Sequence, residues 1–459
     1  MSKSADTSIF AEHALLENGW AKDVLISVDA GGRICSVKSG TRPSGKRTGI
    51  LLPAPANLHS HAFQRAMAGM SERRGSEPRD SFWTWRQIMF RFLDVLTPDD
   101  IEAIAAFVQL EMLEAGYAAV GEFHYLHHQQ GGVPYDNLAE LSERILAATD
   151  ETGIGLTHLP VLYQFGGCDK RPLTPGQIRF GNDFSRFQKL HELAAKALSS
   201  LPADCALGVA PHSLRAVTRE DLSHAAALAG SSPLHMHLAE QVAEVEEVQL
   251  ATSRRPIDWL LENHSVANNW CLIHCTQMTP EETLNLAKSG AIAGLCPLTE
   301  SSLGDGVFDG VRYLDAGGAF GIGSDSNIRI SLSEELRTLE YSQRLRDKCR
   351  ASVATPEKST GRVLFEGAAK GGAQAIGRSS GTISEGQYAD MVALNSSSID
   401  LEGRQGDEIL DAYIFAGDDR MVTDVWSAGR HVVQDGNHVK GDVIRARYRS
   451  TMASLRSRL

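Results

Sequence analysis

Two histidines stand one residue apart in Asn57-Leu58-His59-Ser60-His61, at the end of an apolar run. On extended backbone, residues two apart point to the same side, so both imidazoles can reach one point. Alone, a His-x-His pair is more often two ordinary surface or hydrogen-bonded histidines. Three further groups change that weighting. His237-Leu238-Ala239-Glu240 closes one strand-like segment, His274 follows Cys271-Leu272-Ile273, and Asp325 ends Gly321-Ile322-Gly323-Ser324-Asp325. Imidazoles and carboxylates gathered at strand ends are a costly convergence without a task. Zinc takes nitrogen and carboxylate ligands and, in catalytic sites, keeps a position for water. The chemistry on offer is metal-assisted hydrolysis.

The elements that must carry these residues read as alternating strands and helices. Strand-like runs fall at Ile50–Ala54, Ala118–Phe123, Gly155–Leu162, Leu207–Ala210, Pro233–Leu238, Trp270–Ile273, Ile292–Leu295 and Phe320–Gly323. Helical patterns separate them. Thr97-Pro98-Asp99-Asp100 supplies an N-cap and a first-turn proline, and Ile101, Ile104, Ala105, Val108 and Met112 form a 3.6-residue stripe that stops at Gly116. Thr279-Pro280-Glu281-Glu282 opens another helix, stopping at Gly290. Such alternation predicts an α/β fold, a closed parallel (β/α)8 TIM barrel over 51–380; an open doubly wound sheet is the alternative. In a barrel the strand C-termini converge on one face, which is where the polar groups cluster.

The two ends of the chain read differently. Val24–Val28 and Arg33–Val37 flank Asp29-Ala30-Gly31-Gly32 as a hairpin. Gly381–Ile383, Asp390–Leu394 and Val425–Val433, with a turn at Asp435-Gly436, repeat that texture. Segments 1–50 and 381–459 are expected to form one small β-sandwich beside the barrel. Ser71–Asp80, rich in Ser, Glu, Arg and Gly, reads as a mobile loop.

The chain has 459 residues, 42% hydrophobic and 22% charged, enough for a large core. A net charge of −12 argues against nucleic acid or an anionic membrane as partner, though not against an anionic small substrate in a locally basic pocket. Met1–Phe10 shows no signal-peptide pattern and no run is long enough to span a bilayer, so a cytoplasmic protein is expected. The seven scattered cysteines read as buried, reduced thiols.

On the His-x-His, His-x-x-Glu, His274 and Asp325 motifs the chain resembles the amidohydrolase superfamily, in its mononuclear deaminase-like branch, over nearly its whole length. The resemblance implies one divalent metal, Zn2+ with Fe2+ as the other choice, held by His59, His61, His237 and Asp325. It implies a proton-shuttling Glu240 and a catalytic His274. The segment Pro211-His212-Ser213-Leu214-Arg215 lacks the lysine that a binuclear member would place there. Zinc lowers the pKa of its water to ~7. His274 and Asp325 can take the proton, hydroxide attacks an sp² carbon, and protonated Glu240 delivers a proton to the leaving nitrogen.

The rest of the top face is basic and polar. Gln64, Arg86 in Phe82-Trp83-Thr84-Trp85-Arg86, Tyr125 in Gly121-Glu122-Phe123-His124-Tyr125, His212 and Arg215 lie near strand ends. Two guanidinium groups suit a dicarboxylate, which they bind bidentately. With Pro55–Arg65, these segments are similar to the formimidoylglutamate deiminase family of histidine degradation, whose members convert N-formimino-L-glutamate to N-formyl-L-glutamate and ammonia. The resemblance implies that Gln64, Arg86, Tyr125, His212 and Arg215 line the substrate site, and it suggests a homodimer. The rival readings are another deaminase or chlorohydrolase of the branch (guanine, S-adenosylhomocysteine or triazine type) and a catalytically dead scaffold barrel, which would bind no stoichiometric zinc.

Overall fold

The structure, a computed structural model, describes residues 7–72 and 82–459, without the side chains of 82–84. The loop expected at Ser71–Asp80 lies, from residue 73 onward, outside the described residues, as do the side chains of Phe82 and Trp83. Two sheets organise the chain. One is a barrel of parallel strands: Ala56–Ser60, Ala119–His124, Gly155–Leu162, a split fourth strand of Ala206–Leu207 and Ala210–Pro211, Leu234–Leu238, Trp270–His274, Ile292–Leu295 and Ala319–Ile322. It closes on itself where Ile322 pairs with Asn57 and Val209 bridges to Leu234.

Two strand assignments change. Ile50–Ala54 is not the first barrel strand. All but its last residue lies in Lys46–Pro53, which pairs with Thr7–Leu16 and Met391–Leu394 in the other sheet, and the barrel begins three residues after Pro53, at Ala56. Pro53 and Pro55 separate the apolar Ile50-Leu51-Leu52 from Ala56-Asn57-Leu58-His59-Ser60; proline cannot donate to a ladder and favours such a break. The fourth strand is interrupted at Gly208-Val209 and pairs twice with Gly155–Leu162.

The helices pack outside. Pro98–Glu114 starts where expected. Thr97 Oγ1 accepts the Asp100 amide at 3.3 Å and the Asp100 carboxylate accepts the Thr97 amide at 2.9 Å, closing a capping box. Ile101, Ile104, Ala105, Val108 and Met112 are buried as the stripe requires. Other faces of this helix are buried too, because the C-terminal helix Gly441–Arg458, which periodicity did not reveal, packs on it and stacks Tyr448 on Phe107 with ring centroids 4.0 Å apart. Pro280–Ser289 carries a second capping box through Thr279 and Glu282 and ends at a left-handed Gly290. Thr360–Ala375 lies so close to the barrel that a Cβ on Gly371 would sit 1.8 Å from the Phe320 carbonyl oxygen, so only glycine fits there.

The second sheet joins the chain ends: Gly19–Val28 pairs with Thr7–Leu16 and with Ile34–Lys38, while Val422–Ser427, Arg430–Gln434 and Asn437–His438 extend it beyond Met391–Leu394. It is one continuous eight-stranded sheet rather than two separate ones. Its inner face covers a small core that includes Ile9, Val24, Ile26, Ile34, Met391 and Trp426. Val425–Val433 is broken by a turn at Ala428-Gly429, both at positive φ. The join between sheet and barrel is apolar, through Leu52, Val392, Leu394 and Val425 in the core shared with the barrel, and also ionic. Arg378 is buried between Asp204 and Asp390, and Arg430 adds two hydrogen bonds of 2.7 Å to Asp204. All seven cysteines are free; Cys271, Cys275 and Cys296 are buried as expected, but Cys35 and Cys349 are exposed. Among the described residues no helix is long and apolar enough to cross a membrane.

Candidate active site

His59 lies in the first barrel strand and His61 one residue beyond its end. Strand pairing continues past the strand, with the Asp325 amide donating to His59 O at 2.9 Å and the His61 amide to Asp325 O at 3.0 Å. This locks Asp325 beside both histidines: its Oδ1 lies 3.4 Å from His59 Nε2 and 3.1 Å from His61 Nε2. Asp325 adopts a left-handed backbone (φ 46°), unfavourable for a non-glycine residue. A buried network holds it there. Asn57 exchanges hydrogen bonds with Ser324, Ser324 Oγ donates to Asn327 Oδ1, and Asn327 Nδ2 donates to Ser60 Oγ and His61 O. His237, in the strand Leu234–Leu238, completes the group, its ring centroid 4.9 Å from that of His59.

One ligand atom from each of His59, His61, His237 and Asp325 lies within 4.8 Å of the others, and all four residues are buried. Two imidazoles are already oriented. His61 Nδ1 faces Phe123 O at 2.9 Å and His237 Nδ1 faces His212 O at 3.3 Å, so each donates to a carbonyl and leaves its Nε2 lone pair for a cation. His59 is fully buried and, among the described residues, neither of its ring nitrogens makes a hydrogen bond. An orphaned buried polar atom is costly, and a divalent cation would satisfy it. Burial holds the His59 pKa near 3, so the ring is neutral and ligand-competent. The donor set fits a metal.

Glu240 and His274 border this cluster. After a left-handed Ala239, Glu240 is fixed through its backbone: Glu244 accepts the Ala239 and Glu240 amides at 3.1 and 3.0 Å, and Thr276 Oγ1 donates to Glu240 O at 2.7 Å. Burial pushes the Glu240 carboxyl above its ordinary range, which favours the protonated acid. His274 is the last residue of Trp270–His274. Its Nε2 lies 3.9 Å from both Glu240 Oε1 and Asp325 Oδ2. Burial lowers its pKa, but the surrounding carboxylates of Glu240, Glu300 and Asp325 outweigh that and hold it well above the usual value.

Above the cluster opens a pocket lined by every candidate site residue singled out in the sequence except His59, which is fully buried. Gln64, in the 3-10 turn Ala62–Met67, donates to Tyr125 Oη at 2.7 Å, while its Oε1 is buried without a partner among the described residues. Arg86 projects from the helix Phe82–Leu93, and Trp85 beside it both lines the pocket and packs on the hydrophobic core. His212 and Arg215 follow the fourth strand; Arg215 NH2 stands 3.9 Å from Glu244 Oε2, so the residue that holds Glu240 also faces this guanidinium. Sequence reasoning missed Met89, Tyr163, Phe180 and Leu303 in the lining, and Glu300 behind His274. Tyr163 follows the third strand directly, so the strand-end rule could have found it. Phe180 comes from the 3-10 turn Ile178–Phe180, and Leu303 from the short helix Pro297–Leu303, neither with a periodic signal of its own.

A parallel barrel with a metal-fitting His/His/His/Asp group and an adjacent acid and imidazole defines a metal-dependent hydrolase. Comparisons agree. Residues 50–432 match the Amidohydrolase family, and residues 6–47 match the Formimidoylglutamate deiminase HutF, N-terminal domain. Formimidoylglutamate deiminase of Pseudomonas aeruginosa is 45% identical over 94% of this chain and 96% of that protein. An amidohydrolase from Brucella melitensis superposes with a TM-score of 0.94 at 46% identity, covering 98% of this chain and 99% of that one. An adenosine deaminase from Xanthomonas campestris with bound zinc shares the fold, with a TM-score of 0.82 at 20% identity over 99% of both chains. The chain therefore belongs to the amidohydrolase family, as a hydrolase of carbon–nitrogen bonds other than peptide bonds, and within it to the formimidoylglutamate deiminase family.

Proposed function

We propose that this protein hydrolyses N-formimino-L-glutamate to N-formyl-L-glutamate and ammonia in histidine degradation, with one zinc ion held by His59, His61, His237 and Asp325. The observation that carries the reading is the pairing of that buried ligand group with Arg86 and Arg215, which reach the same pocket from different barrel loops. Two guanidinium groups match the two carboxylates of a glutamate derivative.

When bound, the metal supplies Lewis acidity that makes a water nucleophilic near neutral pH. The chain's residues handle the protons. Asp325 is placed to accept the proton of the attacking water, His274, whose proton its carboxylate neighbours hold, polarises that water, and Glu240, whose carboxyl burial pushes above its ordinary range, donates to the departing nitrogen. The water oxygen becomes the formyl oxygen, both water hydrogens end on nitrogen, and ammonia leaves. Arg86 and Arg215 hold the carboxylates, and the unpartnered Gln64 Oε1 accepts from an N–H of the substrate.

Ammonia release from N-formimino-L-glutamate tests the proposal, run beside adenosine and S-adenosylhomocysteine. Turnover of the formimino diacid with stoichiometric zinc is expected. Turnover of an aminopurine alone would overturn it.

A further inference from the structure

Tyr163 has no role in the proposed reaction, yet its hydroxyl is held on the pocket wall by two hydrogen bonds. It is 5% exposed and lines the pocket between Phe180 and His212, its ring centroid 4.4 Å from that of His212. Two donors point at its oxygen: Gln177 Nε2 at 2.8 Å and Arg86 NH2 at 3.2 Å. The orientation of Gln177 is fixed, because its Oε1 accepts the Thr174 amide at 3.0 Å and Thr174 Oγ1 at 2.8 Å. The amide nitrogen therefore faces Tyr163 and can only donate. A guanidinium also only donates. Both acceptor positions of the phenol oxygen are thus occupied, and its own proton has no acceptor among the described residues.

From this count we infer that Tyr163 donates its hydroxyl proton to a carboxylate of the substrate, forming with Arg86 a two-point clamp on one carboxylate while Arg215 addresses the other. The inference rests on the proposed dicarboxylate substrate. A carboxylate is the fitting acceptor, because it offers one oxygen to the guanidinium and the other to the phenol. Gln177 acts from behind: by donating to Tyr163 it turns the phenolic hydrogen into the pocket. The Tyr163 hydroxyl thereby distinguishes an anionic acceptor from an amide nitrogen, which would present a second donor to it.

The test measures binding of the product, N-formyl-L-glutamate, to metal-loaded wild type and to Tyr163→Phe by calorimetry, with turnover of the formimino substrate in parallel. Tyr163→Phe should keep full metal content, bind the diacid at least tenfold more weakly and raise KM at least tenfold, with kcat changed less than threefold. For one of the two product monoamides, the gap between wild type and variant should shrink below threefold. Gln177→Glu keeps the shape but accepts the phenolic proton; it should weaken binding as much as Tyr163→Phe and add little in the Tyr163→Phe background. Equal affinity of wild type and Tyr163→Phe for the diacid overturns the inference even if the wild type turns the substrate over. Absence of turnover with a tenfold binding gap instead overturns the proposed reaction and leaves the clamp standing.

Discussion

His274 Nδ1 lies 3.3 Å from Glu300 Oε1, which turns the opposite ring nitrogen toward Glu240 and Asp325. Glu300 Oε1 also accepts the Cys296 amide at 2.9 Å, so the carboxylate is itself anchored to the end of the seventh barrel strand. Glu300→Leu removes the contact that fixes the ring, and kcat should fall about tenfold to a hundredfold with metal content and KM nearly unchanged. Glu300→Gln keeps an oxygen acceptor and should retain most of the rate. Equal losses in both variants would show that charge, not orientation, is the contribution.

The metal assignment predicts that His237→Ala or Asp325→Ala loses metal and activity while the fold survives. His59 is the more telling position, since among the described residues its ring nitrogens make no hydrogen bond and its Nε2 faces its fellow ligand Asp325. Metal analysis beside circular dichroism decides it. Full zinc occupancy in any of these variants would refute the ligand set.

Glu240→Gln keeps the shape, and the backbone anchors to Glu244 and Thr276 do not depend on its side chain. The acid is lost alone. Turnover should fall roughly 10²-fold or more with metal retained. Near-normal turnover would assign the proton to another group.

Arg86→Met and Arg215→Met should each retain metal and each lower kcat/KM for the diacid at least tenfold, a charge-assisted contact contributing ~1.5–3 kcal/mol. The two should differ in kind. Arg86 meets Tyr163, so its loss should appear mainly in KM. Arg215 stands against Glu244, which carries the Glu240 backbone, so its loss should also lower kcat. A diamide turned over as fast as the diacid would remove both arginines from substrate binding.

Stability should depend on the buried ionic join between sheet and barrel. Burial alone would raise the Asp204 pKa; hydrogen bonds from Arg430 and the charge of Arg378 outweigh it and hold the carboxyl below its ordinary value. A carboxylate with a depressed folded-state pKa contributes stability that is present above the unfolded value, about 4, and is lost as pH falls through the folded value. Arg378→Met leaves the buried Asp390 without its guanidinium and Asp204 with Arg430 alone, and should cost roughly 3–5 kcal/mol at pH 7. Thermal melts from pH 7 to pH 3 should show the gap to wild type narrowing below about pH 4. A constant gap would mean that packing, not charge, is lost.

Much of this protein was legible in residue order because the relevant physics is local. Short apolar runs mark most barrel strands, Thr97 and Thr279 announce their helices through capping boxes, and the ligand types stand at strand ends. Boundaries between adjoining strands were not legible. Ile50–Ala54 is the more apolar of two adjoining segments, yet its hydrogen-bond partner Met391–Leu394 sends it to the second sheet, while Ala56–Ser60, with Asn57, His59 and Ser60, pairs with Ala119–His124 in the barrel. The helix Gly441–Arg458 stayed hidden because few of its residues are buried. Residue order also named Arg86 and Arg215 without saying what faces them. Glu244, Glu300, Gln177 and Tyr163 act through partners on other elements. Their roles exist only once closure of the barrel sets Asn57 beside Ile322, because hydrogen-bond geometry between remote side chains is set by packing and is not encoded in spacing.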